Sequence, residues 1–331
     1  MAGFPPDGCA WLVTDEKIGM LAQCRGVAEA LGLTYVEKRV KPPGLVRVFS
    51  PWSRPIPSER FGEPGTLFAP PWPTVAIASG RLSIPYLRAL ARRAGKGTFT
   101  VVLQDPKTGL NTADVIWVPE HDRLRGANVI TTLTAPHQFS PERLAELRRT
   151  PNAEIAALPQ PRIAVVLGGP SKGGGVTGPD DRRLAGALGS LAALGPSFLI
   201  TPSRRTTPTL LAAVDQVTRS NPRILWTGEG ANPYELFLAH ADVLVVTGDS
   251  VNMTSEACAT GRPVYVFMPG RLSAKLIRFH AALRRHGATR CLPNHVTAWA
   301  AWNYQPLYSA GDIAREIERR WQARQPNLCR G

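Results

Sequence analysis

The 331-residue chain has no run of 18 apolar residues. No segment is therefore expected to span a membrane, and any membrane contact is expected to be peripheral. Its five cysteines, Cys9, Cys24, Cys258, Cys291 and Cys329, are odd in number and include no C-x-x-C pair. That argues against a disulfide framework or a zinc site and for a reducing compartment. The six histidines include no H-x-x-x-H or H-E-x-x-H spacing, so no metal is expected. No Walker A ending occurs, which excludes the P-loop route to nucleotide hydrolysis. Low-complexity tracts are absent. Residues 1–8 are short, polar and proline-rich, unlike a secretory signal, so the expected location is cytoplasmic.

What is abundant is positive charge. Lys and Arg number 39 against 25 Asp and Glu, a net of +14, of which +5 falls in residues 1–155 and +9 in 156–331. Such a field favours phosphorylated ligands or anionic headgroups. Nucleic acid is not an expected partner, because no RNA-binding aromatic signature, zinc-finger spacing or basic helix accompanies the charge.

Apolar periodicity switches repeatedly between short runs and helical spacing, the βα alternation of a helix-covered parallel sheet. The first half reads as strands at Cys9–Thr14, Thr34–Val40, Thr74–Ala78, Phe99–Gln104 and Val115–Val118, with helices from Ile18 and over Ile84–Ala94. Residues 41–73, rich in proline and carrying Phe49, Trp52, Phe61 and Phe68, read as a long irregular excursion able to touch an anionic membrane. Residues 150–161 read as a linker. A second series follows, with strands at Arg162–Leu167, Ser197–Thr201, Arg223–Trp226, Val243–Val246 and Val264–Met268, and a last amphipathic helix near Asp312–Gln325. The fold class expected is α/β, with two Rossmann-like doubly wound domains, 1–155 and 160–310, facing across a cleft. Helix 311–325 is expected to return to the first.

In such sheets ligands bind beyond the carboxyl ends of strands, so the loops there hold the candidate residues. The first is Gly168–Gly178, with Gly168, Gly169, Ser171 and Lys172 placed to approach an anion ahead of a helix. The second, Thr201–Thr206, offers Ser203, Arg204 and Arg205 as phosphate contacts. The third is Gly248, Asp249, Ser250, Asn252, Met253, Ser255 and Glu256, in which Glu256 lies about one helical turn in and can accept from a ribose diol. In the first half, Asp15 and Asp105 are the alternatives for a catalytic base, with Lys17, Arg81 and Lys107 as acceptor-side cations. Asp15 has the competing role of helix cap, and Asp105 that of organising an Asp-Pro turn.

The run Trp226–Pro269 resembles the donor site of glycosyltransferase-B enzymes. Asp15–Leu31, Ser79–Arg81, Gln104–Lys107, Gly168–Lys172, Thr201–Arg205 and Gly248–Glu256 together resemble the mitochondrial-fission "elongated mitochondria" family and its alphaproteobacterial members. The resemblance implies a metal-independent transferase with no cofactor. A nucleotide-diphosphate sugar would be the donor, and an envelope glycan or anionic lipid the acceptor, at the cytoplasmic face of the inner membrane. Two alternatives stand beside it: a non-catalytic membrane-associated scaffold, and a sugar-nucleotide epimerase.

Overall fold

The structure, a computed structural model, describes residues 4–5, 7–15, 17–171 and 174–324. The chain divides into two compact units, residues 1–140 with 308–331, and residues 141–307.

The first unit is built on β1 (Cys9–Thr14), α1 (Ile18–Ala30), β2 (Thr34–Arg39), α2 (Gly44–Phe49), β3 (Val75–Ser79), α3 (Ile84–Ala94), β4 (Phe99–Leu103), β5 (Val115–Pro119) and β6 (Val129–Thr132). The strands form one parallel sheet in the order β2-β1-β3-β4-β5-β6. β3, β4 and β5 are buried along their whole length, as expected for parallel strands covered on both faces.

The second unit runs α4 (Pro141–Arg149), α5 (Ala153–Ala156), β7 (Arg162–Leu167), α6 (Gly178–Ala192), β8 (Ser197–Pro202), α7 (Pro208–Thr218), β9 (Arg223–Leu225), α8 (Tyr234–His240), β10 (Val243–Thr247), α9 (Val251–Ala259), β11 (Val264–Phe267), α10 (Ala274–His286) and β12 (Thr289–Cys291). Its parallel sheet has the order β12-β11-β10-β7-β8-β9. Ile163, Val165, Phe198, Ile200 and Val245 fill the core against Leu184, Leu188 and Leu210.

The last helix, α11 (Ser309–Arg324), belongs to the first unit. Trp321 meets Phe99 edge-on at 6.0 Å and Phe4 at 5.0 Å, and the Ser309 and Thr134 hydroxyls are hydrogen-bonded. The division falls between Ser140 and Pro141, whereas the proline-rich stretch 150–161 lies inside the second unit and includes α5.

Residues 41–73 depart from the irregular excursion expected there. They contain α2 and a short 3-10 turn at Pro57–Glu59. Phe61 and Phe68 are core residues, not membrane-facing ones: they stack at 4.7 Å, and Phe68 stacks on Tyr86. Only the segment around α2 keeps its aromatics in solvent.

The strand orders fix where sites can form. In the first unit the chain leaves β1 toward β2 and then crosses to β3 on the other side. In the second it leaves β7 toward β8 and later crosses to β10. The crevices outside the carboxyl ends of β1/β3 and β7/β10 are therefore the two topological switch points.

Candidate functional site

At the β7/β10 switch point three loops are tied together by one carboxylate. Asp249, whose side chain is fully buried, pairs with Arg205 Nη2 at 2.7 Å and accepts the Gly169 N–H at 3.2 Å. Its Oδ1 has no partner among the described residues. Thr247 Oγ1 accepts the Gly168 N–H at 2.7 Å, which stitches the end of β10 to the end of β7. Arg205 also donates to the Gly169 carbonyl at 3.0 Å, and Thr206 Oγ1 reaches the Leu167 and Gly168 carbonyls at 2.9 Å each.

The glycines are required by this closeness. A Cβ on Gly168 would lie 2.1 Å from Asp249 Oδ1, and one on Gly169 1.8 Å from the Arg205 carbonyl oxygen. Glycine permits such approach of backbone to a charged group. The bond-making donors of Gly168, Gly169 and Arg205 are thus used inside the protein, and Arg204 is the exposed cation of its loop. Ser203 Oγ receives the Arg205 N–H, and Ser171 Oγ bonds the Gly174 carbonyl. Lys172 lies outside the described residues.

The helices behind these loops differ in charge. The first turn of α6 carries Asp180 and Asp181, and Thr177 with Asp180 closes a capping box over it. Burial raises the Asp180 pKa, but the Gly270 and Thr177 hydrogen bonds and Arg183 outweigh it, so the carboxyl sits below its ordinary value. The first turn of α9 has no acidic residue, and Ser250 caps it by accepting the Met253 N–H. The positive end of a helix dipole is therefore open at α9 and neutralised at α6. Asn252 and Met253 are partly exposed in that turn, whereas Ser255 is buried and donates its hydroxyl to the Val251 carbonyl at 2.7 Å.

Glu256, partly exposed, accepts a short hydrogen bond from the Tyr234 hydroxyl on α8. Burial pushes its carboxyl above the ordinary range, and Tyr234 acts against that shift. Tyr234 was not identified from the sequence, because its contact bridges 22 residues and no local pattern marks it. His280 on α10 was also missed. It is fully buried, and its Nε2 lies 2.7 Å from the Gly248 carbonyl, which only accepts, so Nε2 carries the proton. Gly248 packs against the same ring, its Cβ position lying 3.1 Å from Nε2.

At the β1/β3 switch point, Asp15 is 6 % exposed, accepts the Lys17 N–H at 3.1 Å and pairs with Lys17 Nζ at 3.0 Å. Gly80, at φ +94, packs beside it: a Cβ there would stand 2.6 Å from Met20 Sδ and, at ordinary contact distance, 3.7 Å from Asp15 Oδ2. The hydroxyls of Thr14 and Ser79, which face each other across β1 and β3, are fully buried and unpartnered among the described residues. Asp105 repeats the Asp15 arrangement, accepting the Lys107 N–H at 2.9 Å and the Lys107 ammonium at 2.6 Å. Gln104 and Lys107 hold φ of +86 and +62. Such conformations are strained for non-glycine residues and gather at functional loops. Arg81 points elsewhere, donating to the Val48 and Ser50 carbonyls at 3.2 and 2.8 Å. Its place is structural, holding the α2 segment.

Among solved structures, the chain is similar to UDP-GlcNAc 2-epimerase of Methanocaldococcus jannaschii (TM-score 0.55, 9% identity, 93% of this chain and 99% of that one). It is also similar to MurG of Acinetobacter baumannii (TM-score 0.50, 13% identity, 95% and 92%) and to UDP-GlcNAc 2-epimerase of Neisseria meningitidis bound to UDP-GlcNAc (TM-score 0.50, 11% identity, 95% and 100%). At these identities the likeness is one of fold alone, the glycosyltransferase-B fold. By sequence, the chain is 31% identical over 279 residues to the mitochondrial fission protein ELM1 of Arabidopsis thaliana, spanning 76% of this chain and 65% of that one. An uncharacterized protein of Rickettsia prowazekii is 30% identical over 125 residues, 37% of this chain and 35% of that one. The family model of mitochondrial fission ELM1 matches residues 18–321, and the chain belongs to that family.

Proposed function

We propose that the second unit binds a nucleotide-diphosphate sugar at the β7/β10 switch point and that the chain transfers the sugar to an acceptor held by the first unit. The observation that carries this reading is the charge difference between the two helix ends. The first turn of α9 is free of acidic side chains, and the first turn of α6 is closed by Asp180. The diphosphate then lies over Ser250–Met253, with Arg204 as the available cation. The rigid brace of Gly168, Gly169, Arg205 and Asp249 holds that turn in place. Glu256, fixed by Tyr234, accepts from the ribose diol. On the acceptor side Asp15 or Asp105 takes the hydroxyl proton. Helix amides and Arg stabilise the leaving diphosphate without a metal. The structural neighbours named for UDP-GlcNAc and its epimerases support a uridine nucleotide as the first ligand to try.

A second reading has its own observation. Asp249 neutralises Arg205 within the loop cluster, which lowers the positive charge left for a diphosphate. That favours a scaffold in which the fold persists without donor binding, in keeping with the name of the Arabidopsis relative.

Thermal unfolding against a panel of nucleotides and nucleotide sugars separates the two. A ligand at 100 times its Kd stabilises by about 2.7 kcal/mol. The transferase reading expects such a rise for one nucleotide family and its loss in Glu256→Gln. A folded protein indifferent to the whole panel sinks it and leaves the scaffold.

A further inference from the structure

Four of the most exposed large apolar side chains of the described residues fall within eight positions. Leu45 is 74 %, Val48 66 %, Phe49 61 % and Trp52 64 % exposed. Leu45, Val48 and Phe49, at i, i+3 and i+4, share one face of α2, and Trp52 follows in the turn just past it. No residue of α2 is buried, so the helix contributes nothing to the core beneath it. It is nevertheless held firmly. Arg81 binds the Val48 and Ser50 carbonyls, the Ser50 hydroxyl donates to the Val46 carbonyl at 2.8 Å, and the Ser53 hydroxyl donates to the same carbonyl at 3.0 Å. An apolar face held rigidly in water by polar anchors has no stabilising role of its own, and such patches mark contact surfaces.

Charge selects the contact. Beside the patch is a cavity of about 140 Å³ lined by Asp15, Lys17, Val40, Lys41, Pro42, Arg47 and Leu82. Among the described lining residues three are cations and one, Asp15, is a carboxylate, which pairs with Lys17. Lys17 adjoins Ile18, itself 56 % exposed, and Arg54 lies exposed just past Trp52. A second protein would meet the apolar face without needing the cationic cavity, and a soluble phosphate would need only the cavity. A surface combining Trp and Phe with Lys and Arg matches the boundary layer of an anionic bilayer, where aromatic rings settle at headgroup level and cations meet lipid phosphates.

We propose that residues 41–54 dock the protein on an anionic lipid surface. A lipid phosphate seats among Lys17, Lys41 and Arg47, while Leu45, Val48, Phe49 and Trp52 enter the headgroup layer. The first unit carries this alone, and it stands whether or not the second unit binds a nucleotide.

The test is co-sedimentation of the full chain with vesicles of phosphatidylcholine alone or mixed with phosphatidylglycerol. Binding is expected on the mixed vesicles only, weakening as salt is raised. Each cation removed in Lys41→Ala and Arg47→Ala lowers the partition coefficient about five-fold. Phe49→Ser and Trp52→Ser each lower it about ten-fold. Ile277→Ser, at an exposed site of the second unit, leaves it unchanged. All variants are checked for an unaltered unfolding midpoint, expected because the side chains changed are exposed. Three outcomes overturn the proposal. One is no binding to mixed vesicles. Another is binding indifferent to the four substitutions. The third is stabilisation by soluble glycerol phosphate, or a Phe49-dependent dimer, in a protein that does not sediment with vesicles.

Discussion

Gly168→Ala sharpens the account of the second unit into a number. The new methyl group would be placed 2.1 Å from Asp249 Oδ1 and 2.3 Å from Oδ2. A flexible surface carboxylate would swing aside at little cost, but this side chain is fully buried and held by Arg205 at 2.7 Å and the Gly169 amide. Relief therefore requires breaking a charge-assisted bond, about 1.5–3 kcal/mol, or accepting overpacking, about 1–3 kcal/mol. Taking about 3 kcal/mol, the unfolding midpoint of the second unit falls by roughly 6–12 °C. Asp249→Ala alone removes both bonds and costs a similar amount, about 2–4 kcal/mol. The informative protein is the double variant. Once the carboxylate is gone, the alanine methyl occupies the space it vacated, so Gly168→Ala adds nothing to Asp249→Ala. The coupling is then about 3 kcal/mol, far outside the ~0.5 kcal/mol scatter of independent sites. Thermal and urea unfolding of the four proteins measure it. Additive losses would refute the claim that Asp249 is the group this glycine accommodates.

Two further outcomes follow from buried polar atoms. His280 lies in the core, and burial depresses its pKa, with the Gly248 carbonyl bond opposing. Below the ordinary imidazole value of about 6.5, the unfolded chain binds a proton that the folded chain resists, so stability falls as pH drops through that value. Midpoints recorded from neutral to mildly acid pH fall less steeply in His280→Gln, and an identical slope would remove His280 from this role. Thr14→Val replaces a fully buried hydroxyl that has no partner among the described residues. Losing an unsatisfied group at constant shape stabilises by about 1 kcal/mol. A lowered midpoint in this variant would mean that the hydroxyl is bonded in solution.

The βα alternation was legible because parallel strands covered on both faces must be apolar runs, and Cys9–Thr14, Arg162–Leu167 and Val243–Val246 announced themselves in this way. α2 was hidden by its flanking prolines and by its length of 6 residues, too short to show a sustained period. β6, α4 and α10 were passed over, although α4 and α10 each bury one apolar stripe. The burial of Phe61 and Phe68 could not be read, since Phe68 packs on Trp11 of β1 and Tyr86 of α3, which lie outside residues 41–73. At the candidate site, residue types and loop positions were evident, but not which donors the protein spends on itself. Arg204 and Arg205 are adjacent and chemically identical, and only the fold distinguishes a brace from an exposed cation.

The two switch points are wired in opposite ways, and this bears on the division of labour between the units. At β7/β10 the Gly168 and Gly169 amides and Arg205 are satisfied internally, with one Asp249 oxygen and the second nitrogen of His280 unpartnered among the described residues. A ligand there would meet a surface already set, gaining affinity without reorganisation. At β1/β3 the hydroxyls of Thr14 and Ser79 have no partner among the described residues, and at the end of the adjoining β4 Gln104 and Lys107 adopt left-handed conformations. Unsatisfied groups and backbone strain both cost stability, and each persists where something other than stability maintains it. The Asp15–Lys17 and Asp105–Lys107 pairs lie in these same loops, each a carboxylate held by a lysine two residues on. Such pairing holds each carboxylate in a fixed orientation beside its lysine. The strained, unsatisfied groups thus gather in the loops of the first unit, and the internally braced ones in those of the second.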